Sequence, residues 1–200
     1  MLIFVGMELT VKKSRKEQIA EKATALFQER GYAATSMRDL AQVLGIEAAS
    51  LYSHIKSKEE ILQKICFRMA DEFFNAWTDV ESDNNSLAEK MEKAMIAHVR
   101  VITKDTAASA VFFNEWRHLS EPHLSEFLAM RDDYEGRFIN IIKEGIQAGE
   151  FSPVDEKFTM LTVLSSLNWT HNWYRPSGNL TPEEVGQRLA ALLLNGLKKQ

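Results

Sequence analysis

The 200-residue chain holds a single cysteine, Cys66, so no disulfide can form within it. A lone cysteine beside Ile65 and Phe67 reads as a small buried hydrophobe, and the expected location is the reducing cytoplasm. No apolar run approaches the roughly 18 residues needed to span a bilayer. The opening Met1 to Gly6 is apolar but short, without a basic stretch before it or a small-residue cleavage site after it, so it is not read as a signal peptide. Met7 is as good a candidate start as Met1. Metalloprotease, phosphate-loop and nucleophile motifs are all missing. His118 and His123 are five apart with Pro122 between them, off one helical face. No enzyme, cofactor or metal site is therefore expected. Nor is there an excess of positive charge: 24 Lys+Arg against 28 Asp+Glu give a net charge of −4, which taken alone argues against a polyanionic partner.

What is present is ordinary globular composition, 45% hydrophobic and 26% charged. Only four prolines and nine glycines interrupt it, and apolar residues recur at helical rather than alternating spacing. The predicted fold is all-α with about nine helices, over residues 15–30, 37–44, 48–54, 58–80, 87–103, 106–119, 121–148, 156–174 and 182–194. Capping boxes mark four starts, at Ser14/Glu17, Ser57/Glu60, Ser86/Glu89 and Thr181/Glu184. Gly31, Gly45 and Gly149 are expected as left-handed helix ends. Asp83-Asn84-Asn85 reads as a polar linker.

The most informative stretch is residues 35–58, TSMRDLAQVLGIEAASLYSHIKSK. Two short helices flank Gly45, as in a helix-turn-helix. Leu40, Ala41, Leu44, Ile46, Leu51 and Ile55 can share a small core with the first helix. That turns Ala48, Ala49, Ser50, Tyr52, Ser53 and His54 outward, with Lys56 and Lys58 following, a face suited to groove entry with phosphate clamps. Local charge supports this. Residues 11–58 carry nine Lys/Arg and five Asp/Glu, net +4, whereas residues 59–200 are net −7. The basic charge is concentrated where the hairpin lies.

Residues 15–66 resemble the TetR family of one-component bacterial transcriptional regulators. The resemblance is carried by Leu26-Phe27-Gln28-Glu29-Arg30-Gly31-Tyr32, Thr35-Ser36-Met37-Arg38-Asp39-Leu40-Ala41, Gly45-Ile46 and Leu51-Tyr52-Ser53-His54-Ile55-Lys56-Ser57-Lys58-Glu59. It implies a helix-turn-helix domain over residues 11–57 and a ligand-binding, dimerising domain over 58–200. It implies that Thr35, Ser36 and Arg38 touch phosphates or base edges, that Ala48, Ala49, Ser50, Tyr52 and His54 face the major groove, and that Lys58 clamps a phosphate. Three residues depart from the pattern: Glu47 where Ser or Thr often caps the third helix, Ala49 where Gly is common, and Ile55 where Phe is common. Ala48-Ala49 leaves a bare recognition surface, and a helical protein-interaction module is the competing reading.

Beyond residue 58 lie all four tryptophans and most other aromatics. At helical spacing these serve either as core or as the wall of an apolar pocket with a few polar groups. The candidate ligand-binding residues are Phe74, Trp77, His98, Phe112, Trp116, Arg117, Tyr134, Asn168 and His171. An ion pair with Glu115 or Glu121 is the alternative role for Arg117. The eighth and ninth helices carry more apolar residues than one face needs, including Phe158, Leu161, Leu192 and Leu193. In the family, these helices form a homodimeric four-helix bundle. Phe113 to Arg117, Asn168-Trp169 and residues 172–176 are also similar to the subset of the family whose effectors are acyl-CoA thioesters. The expected partners are thus operator DNA, a second copy of the chain and a small hydrophobic effector such as an acyl-CoA, the alternative effector being a drug-like lipophile. No membrane partner is expected.

Overall fold

A computed structural model describes residues 14–81 and 85–197. The choice between Met1 and Met7, the boundary at residue 11, and Asp83-Asn84 of the linker lie outside the described residues. The helices are α1 (Arg15–Arg30), α2 (Met37–Leu44), α3 (Ala48–Tyr52), α4 (Lys58–Glu81), α5 (Leu87–Lys104), α6 (Thr106–Glu115), α7 (His123–Gln147), α8 (Glu156–Asn168), α9 (Thr170–Trp173) and α10 (Pro182–Leu197). A 3-10 turn, Trp116–His118, extends α6. No β-strand occurs among the described residues. The fold is all-α, as the sequence predicts.

Local chemistry sets most boundaries. Ser14, Ser86 and Thr181 each accept from the backbone N–H three residues on, whose Glu reaches back to the cap's own N–H. Ser36 makes the same box with Asp39. The fourth expected box is half made: Ser57 Oγ accepts from Glu60 N–H, but the Glu60 carboxylate takes the N–H of Lys56. Gly45 adopts φ +64°, and the Ile46 N–H donates to Ala41 O at 3.0 Å, closing α2 in a Schellman turn.

Two expected helices are divided. The sixth ends at Glu115 and tightens into the 3-10 turn. The eighth breaks at Trp169, where Asn172 N–H donates to Trp169 O, three residues back rather than four, and His171 Nδ1 takes the Asn168 carbonyl at 2.6 Å. The third is shorter than expected, so His54 lies just beyond it.

Two cores fill the interior. The first joins Ile19, Ala23, Leu26 and Phe27 of α1, at i, i+4, i+7 and i+8, to Leu40 and Leu51 of the hairpin. It continues into α4, the end of α5, α6, and Phe127 of α7. Packing thus runs without a gap from the hairpin into the helical body. The second core gathers the end of α4 with α5, α7, α8 and α10. α10 crosses α5 so closely that a Cβ on Gly186 would lie 2.9 Å from Ile96 Cα.

Candidate DNA-binding face and effector cavity

The hairpin presents Ser36, Arg38, Ala49, Ser50 and Tyr52 to solvent, with Ala48 and His54 half-buried. Tyr52 is 54% exposed. Arg38 has no hydrogen-bond or ion-pair partner among the described residues. Glu47, where the family often has a hydroxyl cap, makes no capping hydrogen bond. Ser36 is committed to capping α2, donating to Asp39 Oδ2 and accepting from Asp39 N–H.

Two of the expected DNA contacts sit differently. Thr35 is buried, its hydroxyl donating to Gly31 O at 2.9 Å. Lys58 is half-buried. Its Nζ donates to Tyr32 O at 2.6 Å and to Thr35 O at 2.7 Å, and it lies 4.0 Å from the Tyr32 ring centre. Burial pulls the Lys58 pKa down, opposed by the Glu115 carboxylate. A lysine with two of its three protons on carbonyls is first a latch on the α1–α2 loop.

Between α4, α5, α6, α7 and α8 lies an apolar cavity of about 260 Å³. It brings together seven of the nine expected ligand residues: Phe74, His98, Phe112, Trp116, Arg117, Tyr134 and Asn168. The other two stand behind its wall. Trp77 is buried in the second core against Tyr134 and Phe138, and His171 stacks on Phe113, which itself lines the cavity. Asn114 faces solvent.

One polar group is set deep in this wall. His98 Nε2 lies 2.8 Å from Asn168 Oδ1, and His98 Nδ1 lies 2.9 Å from Tyr134 Oη. The amide oxygen only accepts, so Nε2 carries the proton and Nδ1 accepts from the phenol. The Asn168 amide N–H₂ then has no partner among the described residues and is available to an acceptor in the cavity. Burial holds the His98 pKa down to about 4, against the opposing pull of the Asn168 hydrogen bond. Burial also raises the Tyr134 phenol well above its ordinary range, so it stays a donor.

The pH consequence has a definite sign. Above about 6.5, His98 is neutral whether folded or not. Between about 6.5 and 4 the unfolded chain takes up a proton that the folded chain refuses. His98 therefore costs stability as pH falls through that window, on the order of 3 kcal/mol at full extent. A His98→Gln variant is expected to flatten this part of the melting-temperature profile. The same acid slope in both proteins would refute the assignment.

At another part of the wall the guanidinium of Arg117 lies 4.3 Å from the Trp116 ring centre and that of Arg131 lies 5.0 Å from it. Arg117 has no acidic partner among the described residues; Glu115 pairs instead with His118 at 3.4 Å. Arg131 has ion-pair partners in Asp132 and Glu135, yet its buried Nε has no hydrogen bond. Sequence reasoning missed Arg131. Its signal is its place on one face of α7 with Phe127, Tyr134 and Phe138, at helical spacing.

Residues 19–65 match the family described as bacterial regulatory proteins, tetR family, and residues 84–197 match the tetracyclin repressor-like C-terminal domain. The chain is also 30% identical over 189 residues to the HTH-type transcriptional repressor KstR2 of Mycobacterium tuberculosis, covering 94% of each. The chain belongs to the TetR family. Its members are transcriptional regulators rather than enzymes. The cavity lies mostly in the part that matches the TetR C-terminal domain, with Ala70, Phe73 and Phe74 of α4 contributed from before it. The solved structure of the ketosteroid transcriptional regulator KstR2 of Mycobacterium tuberculosis superposes with a TM-score of 0.86 at 29% identity, covering 94% of this chain and 97% of that one. The TetR-family regulator PfmR from Thermus thermophilus gives 0.80 at 33% identity, over 94% and 100%. AibR, solved with isovaleryl coenzyme A and operator DNA, shares the fold, with a TM-score of 0.77 at 24% identity over 90% and 97%. Among the described residues, no helix of this TetR-family chain is long and apolar enough to cross a membrane.

Proposed function

We propose that this protein is a cytoplasmic homodimeric repressor that leaves its operator when an acyl-CoA-like effector fills the cavity. Residues 11–57 read DNA, and residues 58–200 bind effector and form the dimer. The observation that carries the reading is the juxtaposition of Arg117 and Arg131 on Trp116, at the wall of a mostly apolar cavity that also holds His98, Asn168 and Glu135. An unpaired guanidinium on an aromatic face suits the phosphates of a coenzyme A headgroup, with the apolar cavity taking the acyl group. The thioester carbonyl is an acceptor for the Asn168 amide. A cavity of roughly 150 Å³ holds a benzene, so 260 Å³ accommodates a bicyclic or branched acyl group better than a long chain. A neutral drug-like lipophile would leave Arg117 without a role, whereas Arg131 keeps its ion pairs with Asp132 and Glu135.

Dimerisation through α8 and α10 is supported by the large apolar side chains left exposed there, Phe158, Leu161 and Leu192, and by Trp169 and Trp173 at the α8–α9 junction and on α9. A two-fold dimer would set the two α3 helices about 34–36 Å apart, one turn of DNA.

The test is retention of the protein's own promoter fragment across a salt series, with free short acids and their CoA thioesters added. Affinity is expected to fall steeply between roughly 50 and 200 mM salt. Thioesters, isovaleryl-CoA among them, are expected to release the DNA and raise the melting temperature, whereas the free acids do neither. Arg117→Ala should weaken the thioester response about tenfold and leave DNA binding intact. Equal stabilisation by acids and thioesters would remove the coenzyme A headgroup from the reading.

A further inference from the structure

Three consecutive residues face two different parts of the molecule. In the 3-10 turn Trp116–His118, Trp116 and Arg117 line the cavity. His118 stacks on Tyr32 of the α1–α2 loop, ring centres 5.1 Å apart and planes 28° from parallel. Glu115, just before the turn, reaches the same loop: its Oε1 lies 3.7 Å from where a Cβ on Gly31 would be. Tyr32 in turn lies under the Lys58 ammonium, and its carbonyl accepts from both Lys58 and the Thr35 N–H. The next residue, Ser36, caps α2, whose first turn carries Arg38. An unbroken chain of contacts thus runs from the cavity wall to the start of the DNA-reading hairpin.

We propose that His118 and Tyr32 are positioning residues that set the pose of the α2 N-terminus according to the state of the cavity, by a route that does not pass along α4. The physical case rests on the shortness of the turn. It spans only three residues, with Leu119 N–H donating to Trp116 O at 3.0 Å across it, so a backbone shift at Trp116 carries His118 with it. The Tyr32–His118 stack is the point at which that motion reaches the loop. Use of the link as an effector switch rests on the reading of the cavity given above, whereas the link itself belongs to the protein alone.

The experiment is amide hydrogen exchange on the full-length protein without DNA, first without effector and then with CoA thioesters added. Trp116→Ala, which disturbs the cavity wall, is expected to speed exchange over residues 31–38 roughly tenfold. In a His118→Leu background the same substitution should add nothing there. Tyr32→Phe should retain the coupling, because the ring remains, and Tyr32→Leu should lose it. Arg117→Ala serves as the milder wall variant if Trp116→Ala melts early. A Trp116→Ala effect on residues 31–38 that persists without His118, or one confined to residues 58–81, would overturn the proposal. If the mutational coupling stands while CoA thioesters leave exchange unchanged, the link is upheld and it is the effector reading that fails.

Discussion

Replacing Lys58 with alanine is expected to lower affinity for promoter DNA at least tenfold and stability by about 2 kcal/mol. The loss of stability comes from two carbonyls, of Tyr32 and Thr35, that lose charge-assisted donors at 2.6 and 2.7 Å, and from a cation removed from the Tyr32 ring. Each such interaction contributes roughly 0.5–3 kcal/mol, and the half-exposed site brings the total toward the lower part of that range. For a chain of this size that is a fall in melting temperature of roughly 4–8 °C. Affinity falls because the α1–α2 loop no longer fixes Ser36 and Arg38 at the start of α2. The salt dependence separates latch from clamp. A lost phosphate contact would reduce the slope of log affinity against log salt by about 0.9 for each contact. A lost latch lowers affinity with the slope unchanged. Tyr52→Ala is the counterpart: with 54% of the residue exposed, it should weaken DNA binding without moving the melting temperature. If Lys58→Ala melts like the parent protein, the latch is wrong and Lys58 acts on DNA alone.

The second large effect falls far from both sites. Gly145→Ala is expected to destabilise the protein by about 3 kcal/mol, which a thermal melt would register as a fall of roughly 6–12 °C. A Cβ at residue 145 would stand 2.2 Å from one atom of the Phe151 ring and 2.5 Å from another. That ring is 2% exposed and packed in the second core, so it has nowhere to turn. The backbone cannot yield either, because Gly145 O accepts the N–H groups of both Glu150 and Phe151 as the chain reverses through Gly149, at φ +74°. Combining Gly145→Ala with Phe151→Leu should recover part of the loss, since the smaller side chain vacates the ring position. A single variant as stable as the parent would mean that the α7 terminus adjusts more freely than its packing indicates.

How much of this is legible in the chain itself depends on how far apart the interacting residues are. Helix starts and stops are readable because Ser14–Glu17, Ser86–Glu89, Thr181–Glu184 and the glycines at 31, 45 and 149 act within a few residues of themselves, although Gly31 ends α1 at φ +83° and ψ 153° rather than in the expected left-handed helical conformation. The seven cavity residues are readable too, because helical spacing of aromatics with an occasional polar residue marks an inward face, though not whether that face is core or pocket. Misplacements follow the same logic. Trp77 and His171 carry the same local pattern as their neighbours, and only the angle at which α4 and α9 pack puts them behind the wall.

By itself, then, the sequence determined the all-α class, the hairpin with its local positive charge, and the family. All three depend on periodicity, capping and short motifs. Tertiary structure alone decided that the ammonium of Lys58 closes on carbonyls 23 and 26 residues away, that Arg131 joins Arg117 on one indole, and that His98 is kept neutral between Tyr134 and Asn168. The reason is physical. A cation, a ring or an imidazole has a role only through the partner brought against it, and those partners come from other helices, placed by the two cores rather than by any local signal.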